Sequence, residues 1–253
     1  MSLVFVALVG CGNDGKDKGG SDAAVDSPGP DGKQFLDAPP TMVAQVTVSG
    51  QVTERTASGS GPIQGVIIEA FRNSNETTAI ATTTSDAQGM YSITVDTNGE
   101  SIDGFLKAQK SGFVSTYLYP PYPLMMDFAN ATVIMIKATT YDQLCTVAQA
   151  GCSVMDGVGL IGLVVTDGMS PVADATVSSN PVTNPLPRYN AMVGNLVLPS
   201  PMAMSTYSDG VAYLFNLPPG QVTVSAMKSG STFASHPAKA WPNELTTTVI
   251  VPP

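Results

Sequence analysis

The stretch Val46-Thr-Val-Ser-Gly-Gln-Val-Thr53 decides the fold, because small or apolar and polar residues alternate along it with a period of two. Such alternation is typical of a β-strand with one buried and one solvated face. A second apolar run, Leu160-Ile-Gly-Leu-Val-Val165, follows later in the chain. The tripeptide Lys110-Ser-Gly112 also returns unchanged as Lys228-Ser-Gly230. The chain therefore contains an internal repeat that begins with this strand.

Both halves of the chain have the same order of segments between the repeated strand and the Lys-Ser-Gly tripeptide. A proline opens an apolar segment at Pro62 and again at Pro171. A Ser-Asp turn with glycine follows, as Ser85-Asp-Ala-Gln-Gly89 and Ser208-Asp-Gly210, and an aromatic strand comes after each turn. A repeat of roughly ninety residues is too long for a solenoid unit and indicates two copies of one small β domain.

Composition and charge agree with this interpretation. The 253 residues include 24 glycines and 20 prolines, and only 12% are charged while 43% are apolar. Glycine and proline set turns, and the many Thr and Val residues suit a pleated surface. The net charge of −9 excludes a nucleic-acid partner, since phosphates require a basic face. We expect turn-rich β structure.

Four motifs in the first repeat resemble those of the carboxypeptidase regulatory-like family, which is transthyretin-like, or prealbumin-like, in fold. They are Gly50-Gln-Val52, Pro62-Ile-Gln-Gly65-Val66, Asp86-Ala-Gln-Gly89-Met-Tyr91 and Lys110-Ser-Gly112-Phe113. About seven strands at regular spacing also favour a sandwich. The fold class is therefore all-β, with two tandem seven-stranded antiparallel Greek-key β-sandwiches of the prealbumin-like kind and a short helix between them. The residues of these motifs set turns and strand faces, so the motifs imply a fold and no catalytic activity.

The N-terminal sequence Leu8-Val9-Gly10-Cys11 resembles the lipobox of bacterial lipoproteins. The resemblance implies acylation of Cys11 and a lipid anchor in the membrane. It places the protein in the bacterial cell envelope, and Gly12 favours the outer membrane. The apolar run before Cys11 is short, and no basic residue precedes it, so an unrelated apolar tail is the alternative. Residues 12–44 have little to bury and are expected to form a disordered tether.

These features divide the chain into five segments. A signal with the lipobox cysteine covers residues 1–11, the tether covers 12–44, and the two sandwiches cover 45–138 and 158–253. Residues 139–157 are a helical linker, because Leu144, Val147 and Ala148 have helical spacing and Gly151 is a suitable C-terminal stop. In an exported protein, Cys145 and Cys152 are expected to form a disulfide; free buried thiols are the alternative.

The second repeat carries an insert at residues 179–204, with five prolines and three methionines. A segment of this length in a compact domain is expected to be a functional or disordered loop. Thioether sulfurs can bind copper(I), but methionines more often fill gaps in apolar packing. No metal site is predicted there.

Catalytic patterns are absent from the sequence. His236 is the single histidine, no Gly-x-Ser-x-Gly elbow accompanies it, and zinc chemistry needs more ligands. We therefore predict a non-enzymatic protein without cofactor or metal, and predict no oligomeric state. It is either a structural or adhesive lipoprotein with a protein partner, or a carbohydrate-binding module with a glycan ligand. The possible contact residues are Tyr119, Tyr122 and Trp241; the alternative is that these aromatic side chains pack internally.

Overall fold

The computed structural model describes residues 43–56 and 59–253, and these residues form sixteen β-strands and one α-helix. The predicted lipobox cysteine, Cys11, and almost all of the 12–44 tether lie outside the described residues. The first repeat contains strands β1 (Gln45–Thr56), β2 (Gly59–Pro62), β3 (Ile67–Arg72), β4 (Ala81–Thr84), β5 (Met90–Asp96), β6 (Gly104–Gln109), β7 (Thr116–Leu118) and β8 (Val133–Met135).

The second repeat follows helix α1 (Ala138–Val147). Its strands are β9 (Gly159–Val165), β10 (Thr176–Asn180), β11 (Arg188–Val193), β12 (Leu196–Ser200), β13 (Val211–Leu217), β14 (Gly220–Met227), β15 (His236–Ala240) and β16 (Leu245–Ile250).

The two repeats share the pairing of their central strands. In the first, β1 lies between antiparallel β5 and parallel β8, and the opposite sheet runs β4-β3-β6-β7. In the second, β9 lies between antiparallel β13 and parallel β16, and the opposite sheet runs β10-β14-β15. The all-β sandwich fold is thus confirmed. It differs from the prediction in detail, since each repeat has eight described strands and the last strand pairs in parallel.

Equivalent hydroxyl groups hold the first turn of each repeat. The Ser85 hydroxyl accepts the N–H of Val66 at 2.9 Å and donates to the carbonyl of Ile63 at 2.7 Å. Each bond ties the turn to the segment that the proline opens. The same two bonds, at 2.9 and 2.7 Å, are made by Thr206 with Ala175 and Val172.

The left-handed position in these turns is also equivalent. Gly65 has φ +70°, and its N–H donates to the Ser85 carbonyl at 2.9 Å. Asp174 occupies the same place in the second repeat with φ +60°, and its N–H donates to Thr206 at 2.8 Å. Aspartate tolerates this conformation better than most residues with a side chain, so the turn survives the loss of glycine.

The 179–204 insert forms a hairpin, so the expectation of an irregular loop is wrong. Strands β11 and β12 pair with each other, and β11 continues the sheet beside β13. The Arg188 Nε group donates to the Ala148 carbonyl at 3.0 Å, which ties the hairpin to the end of helix α1.

One nine-stranded sheet runs through both repeats, in the order β12-β11-β13-β9-β16-β7-β6-β3-β4. The repeats meet where β16 of the second pairs in parallel with β7 of the first, with Leu245 opposite Thr116. The Tyr119 N–H extends this ladder, donating to the Thr247 carbonyl at 3.0 Å. We call this pairing the joint.

Helix α1 covers one face of the common sheet, burying Tyr141, Leu144 and Cys145. It ends earlier than predicted. Ala148 is the C-cap, and Gln149, with φ +50°, takes the left-handed position ahead of Gly151. No helix within residues 43–56 and 59–253 is long and apolar enough to cross a membrane.

The predicted disulfide is confirmed: Cys145 and Cys152 are bonded, with their Cα atoms 5.3 Å apart. The bond closes a short ring that connects the buried face of α1 to the segment before β9. Replacing both cysteines with alanine is expected to lower the free energy of unfolding by about 2–3 kcal/mol, because the unfolded chain then regains the entropy of the open loop. Urea unfolding of the oxidised protein and the variant measures this. Equal stability would contradict the expectation.

Candidate functional site

The structure brings two of the three predicted contact residues together at the joint. Tyr119 follows β7 directly, and Trp241 follows β15. Because the joint places the end of β7 beside the second repeat, both rings reach the same layer between the sheets. Tyr119 is only 4% exposed, and Trp241 is partly buried against the same core cluster.

Five aromatic rings form this layer, which we call the joint cluster. Phe71, Phe105 and Tyr117 come from three neighbouring strands of the first repeat, β3, β6 and β7, and they join Tyr119 and Trp241. Ring centroids are 5.3 Å apart for Phe71–Phe105, 5.0 Å for Phe105–Tyr119, 5.8 Å for Phe105–Trp241 and 4.4 Å for Tyr117–Trp241. These distances are those of favourable offset and tilted pairs. Burial raises the pKa of Tyr117 and of Tyr119, so both phenols stay neutral at physiological pH.

A charged pair closes the edge of the joint cluster. The Lys239 ammonium lies 4.0 Å from the centroid of Trp241 and forms an ion pair with Glu76, which belongs to the first repeat. The lysine thus joins the repeats through a cation–π contact and a carboxylate at once. This arrangement leaves the Trp241 ring stacked on one partner and capped by another, so it does not present a free platform.

Tyr122, the third predicted contact residue, is not part of the cluster. It is 54% exposed and lies in a bend beyond β7, near the exposed side chains of Met125 and Met126. Among the residues that the structure describes, no ring stacks on Tyr122 as rings do on Tyr119 and Trp241.

A buried polar pair lies in the second repeat, where Asn190 of β11 meets Asp209 just ahead of β13, and no sequence pattern indicates it. The Asn190 amide donates to Asp209 at 2.7 Å, and both side chains are almost fully buried. Burial raises the pKa of Asp209, whereas the Asn190 hydrogen bond and the Arg55 charge act in the opposite direction. Burial also lowers the pKa of Arg55, which reaches this site from β1 of the first repeat. Asp209 lies in a turn and Arg55 is far from it in the chain, so no local sequence pattern predicts that the two charges interact.

His236, the single histidine of the sequence, is a buried residue of β15. Burial lowers its pKa to about 4, although the Asp103 carboxylate and a backbone hydrogen bond to Pro121 act in the opposite direction. Both Asp103 and Pro121 belong to the first repeat. The histidine is therefore neutral at physiological pH and packs at the boundary between the repeats.

The lowered pKa of His236 predicts a loss of stability in mild acid. The unfolded histidine titrates near 6.5, so below that pH the unfolded state binds the extra proton. The free energy of unfolding should fall as pH drops from 6.5 to about 4, by about 3 kcal/mol over the window. Comparing the pH dependence of unfolding of the protein and of His236→Asn isolates this effect, since Asp209 is common to both. Parallel curves would contradict it.

No family model matches this chain, and no curated protein matches it. Solved structures similar to it include the shaft pilin SpaA from Lactobacillus rhamnosus GG, which is 12% identical, with 83% of this chain and 98% of that chain covered and a TM-score of 0.25. The minor pilin GBS52 from Streptococcus agalactiae is also 12% identical, with 82% and 95% covered and a TM-score of 0.25. The Bacillus anthracis TIE protein is 11% identical, with a TM-score of 0.26; 82% of this chain is covered, but only 34% of that protein. At these scores the similarity carries no conclusion about function.

Proposed function

We propose that this protein is a non-enzymatic structural or adhesive lipoprotein of the bacterial cell envelope. Residues 45–138 and 158–253 are its two carboxypeptidase regulatory-like domains, and 139–157 is the linker. The observation that carries the proposal is the nine-stranded sheet that continues through both repeats. A continuous sheet and a shared aromatic layer make a stiff support, because pulling the repeats apart breaks backbone and ring contacts together.

The packing of two predicted contact residues supports this structural role. Tyr119 and Trp241 are used to hold the repeats together, which is a structural task. Tyr189 is likewise committed: its hydroxyl accepts the N–H of Val177 at 2.8 Å inside the second repeat. These aromatic side chains thus pack inside the protein instead of lining a cleft, as expected for a structural protein.

The lipid anchor at Cys11 is part of the proposal and supplies the attachment. Two or more acyl chains hold a protein stably in a membrane, because each buried methylene contributes about 0.8 kcal/mol. The tether at 12–44 then holds the sandwiches away from the lipid surface, facing either the periplasm or the exterior.

Fractionation of bacteria that express the full-length gene tests the proposal. The unchanged protein should appear in the membrane fraction with an acylated Cys11, and Cys11→Ala should appear in the soluble fraction. Protease treatment of intact cells then reports whether the sandwiches face outward, and attachment assays on the same cells report adhesion. An unchanged distribution of Cys11→Ala would overturn the lipoprotein assignment.

A further inference from the structure

The two repeats differ at one place where their strand register is otherwise identical. In each repeat a strand after the first turn pairs with the strand that ends in Lys-Ser-Gly: Ile67 lies opposite Gln109, and Thr176 lies opposite Met227. The residue after the tripeptide is Phe113 in the first repeat and Ser231 in the second. The aligned register makes the residues around these two turns directly comparable.

In the first repeat this place is filled. Phe113 packs against the core of its sandwich. The Lys110 ammonium is held by the Gln64 carbonyl of the neighbouring turn. Gly65 adds no side chain. Lys110, the charged residue of this turn, is thus already bonded within the first repeat.

In the second repeat the same place is an open groove of about 510 Å³. Ser231 stands where Phe113 filled the space, Thr176 replaces Ile67, and Asp174 replaces Gly65. All three replacements exchange an apolar residue or a glycine for a polar side chain. These three positions therefore carry polar side chains in the second repeat but not in the first, and the groove is large enough for a small ligand.

Of the polar side chains that line the groove, Thr176 donates its hydroxyl to the Met227 carbonyl at 3.3 Å, whereas three others make no such bond. Among the described residues, neither the Asp174 carboxylate nor the Lys228 ammonium has a hydrogen-bonding or ion-pair partner, and the same holds for the Ser231 hydroxyl. Apolar side chains flank them: Ala226 forms the floor, and Phe233 lies at one side against the core.

We propose that this groove is a binding site for a neutral saccharide. A sugar ring carries adjacent hydroxyl groups that donate to a carboxylate and accept from an ammonium, and it has an apolar face that packs on an aromatic ring. Opposite charges within one groove disfavour ligands of a single charge sign, whereas they satisfy a neutral ligand with many donors and acceptors. The site lies away from the joint cluster, so it is separate from the structural role.

The test is binding of the full-length protein, purified in detergent, to a panel of neutral and anionic glycans, followed by calorimetry with the best neutral sugar. Ser231→Phe restores the residue of the first repeat and should weaken binding at least tenfold by filling the groove. Asp174→Gly should weaken it similarly and leave stability intact, because glycine is the residue of the first repeat at this left-handed position. The matched control is Ser111→Phe, which adds the same ring to the equivalent turn of the first repeat and should change nothing.

Several outcomes would overturn the proposal: no neutral glycan bound at millimolar concentration, binding of anionic glycans only, or binding that Asp174→Gly and Ser231→Phe leave unchanged. If Ser231→Phe fails to fold, Asp174→Gly decides alone. Failure here leaves the lipoprotein assignment intact, because that depends on fractionation of Cys11→Ala and not on glycan binding.

Discussion

Replacing Tyr119 with alanine is expected to lower the free energy of unfolding by about 3–5 kcal/mol, the loss typical of a large buried aromatic side chain. Its ring is stacked 5.0 Å from Phe105 and is almost fully buried. The residue also lies where the joint ladder ends, so the cavity would open between the repeats rather than within one of them. Urea unfolding monitored by the fluorescence of Trp241 measures the loss and reports directly on the joint cluster.

Tyr122→Ala is the matched control, because it removes the same side chain from an exposed bend three residues later. We expect it to change stability by no more than about 0.5 kcal/mol. A loss for Tyr119→Ala as small as the one expected for Tyr122→Ala would show that Tyr119 is not a packing residue. Weakened glycan or protein binding by Tyr119→Ala at unchanged stability would instead support the earlier hypothesis of a ligand contact.

Gly210→Ala is expected to destabilise the second repeat by about 3 kcal/mol or more. A Cβ atom at this position would stand 2.5 Å from the Val165 carbonyl oxygen, which is backbone and cannot move aside. The residue also has φ +68°, a conformation that costs an alanine about 1–2 kcal/mol. Relieving the clash would also disturb a backbone hydrogen bond, because the Gly210 carbonyl accepts the Val165 N–H at 2.9 Å.

Gly168→Ala separates the two causes. Gly168 also has a left-handed backbone, with φ +97°, but a Cβ atom there would meet nothing within 4 Å. It should therefore lose only the conformational part, about 1–2 kcal/mol. Thermal unfolding of both variants gives the difference, and a loss for Gly168→Ala as large as for Gly210→Ala would show that close approach is unimportant at Gly210.

The candidate site was only partly predictable from sequence. The sequence marked Tyr119 and Trp241 as possible contact residues with internal packing as the alternative, but it gave no sign that they stack around Phe105. In the sequence, the groove shows only as Asp174 at the place that Gly65 holds in the first repeat. Its meaning depends on Phe113 being absent from the equivalent place, and that is a comparison of two three-dimensional positions.

Local signals determined the β-strands, the repeat and its turns, because these depend on side-chain alternation and on backbone conformations that few residues adopt. The same signals did not determine strand pairing. Asn98-Gly99 has the sequence of a hairpin turn, yet β5 pairs with β1 while β6 pairs with β3 and β7.

Only the tertiary structure decided that the repeats share a sheet. Strand β6 buries Leu106 and Ala108 in its own core, and its other face, with Phe105, is buried by the second repeat. The sequence of β6 shows two faces but not what covers each. Pairing of β7 with β16 joins residues about 130 positions apart in the chain, and such contacts arise from matching surfaces rather than from any local pattern.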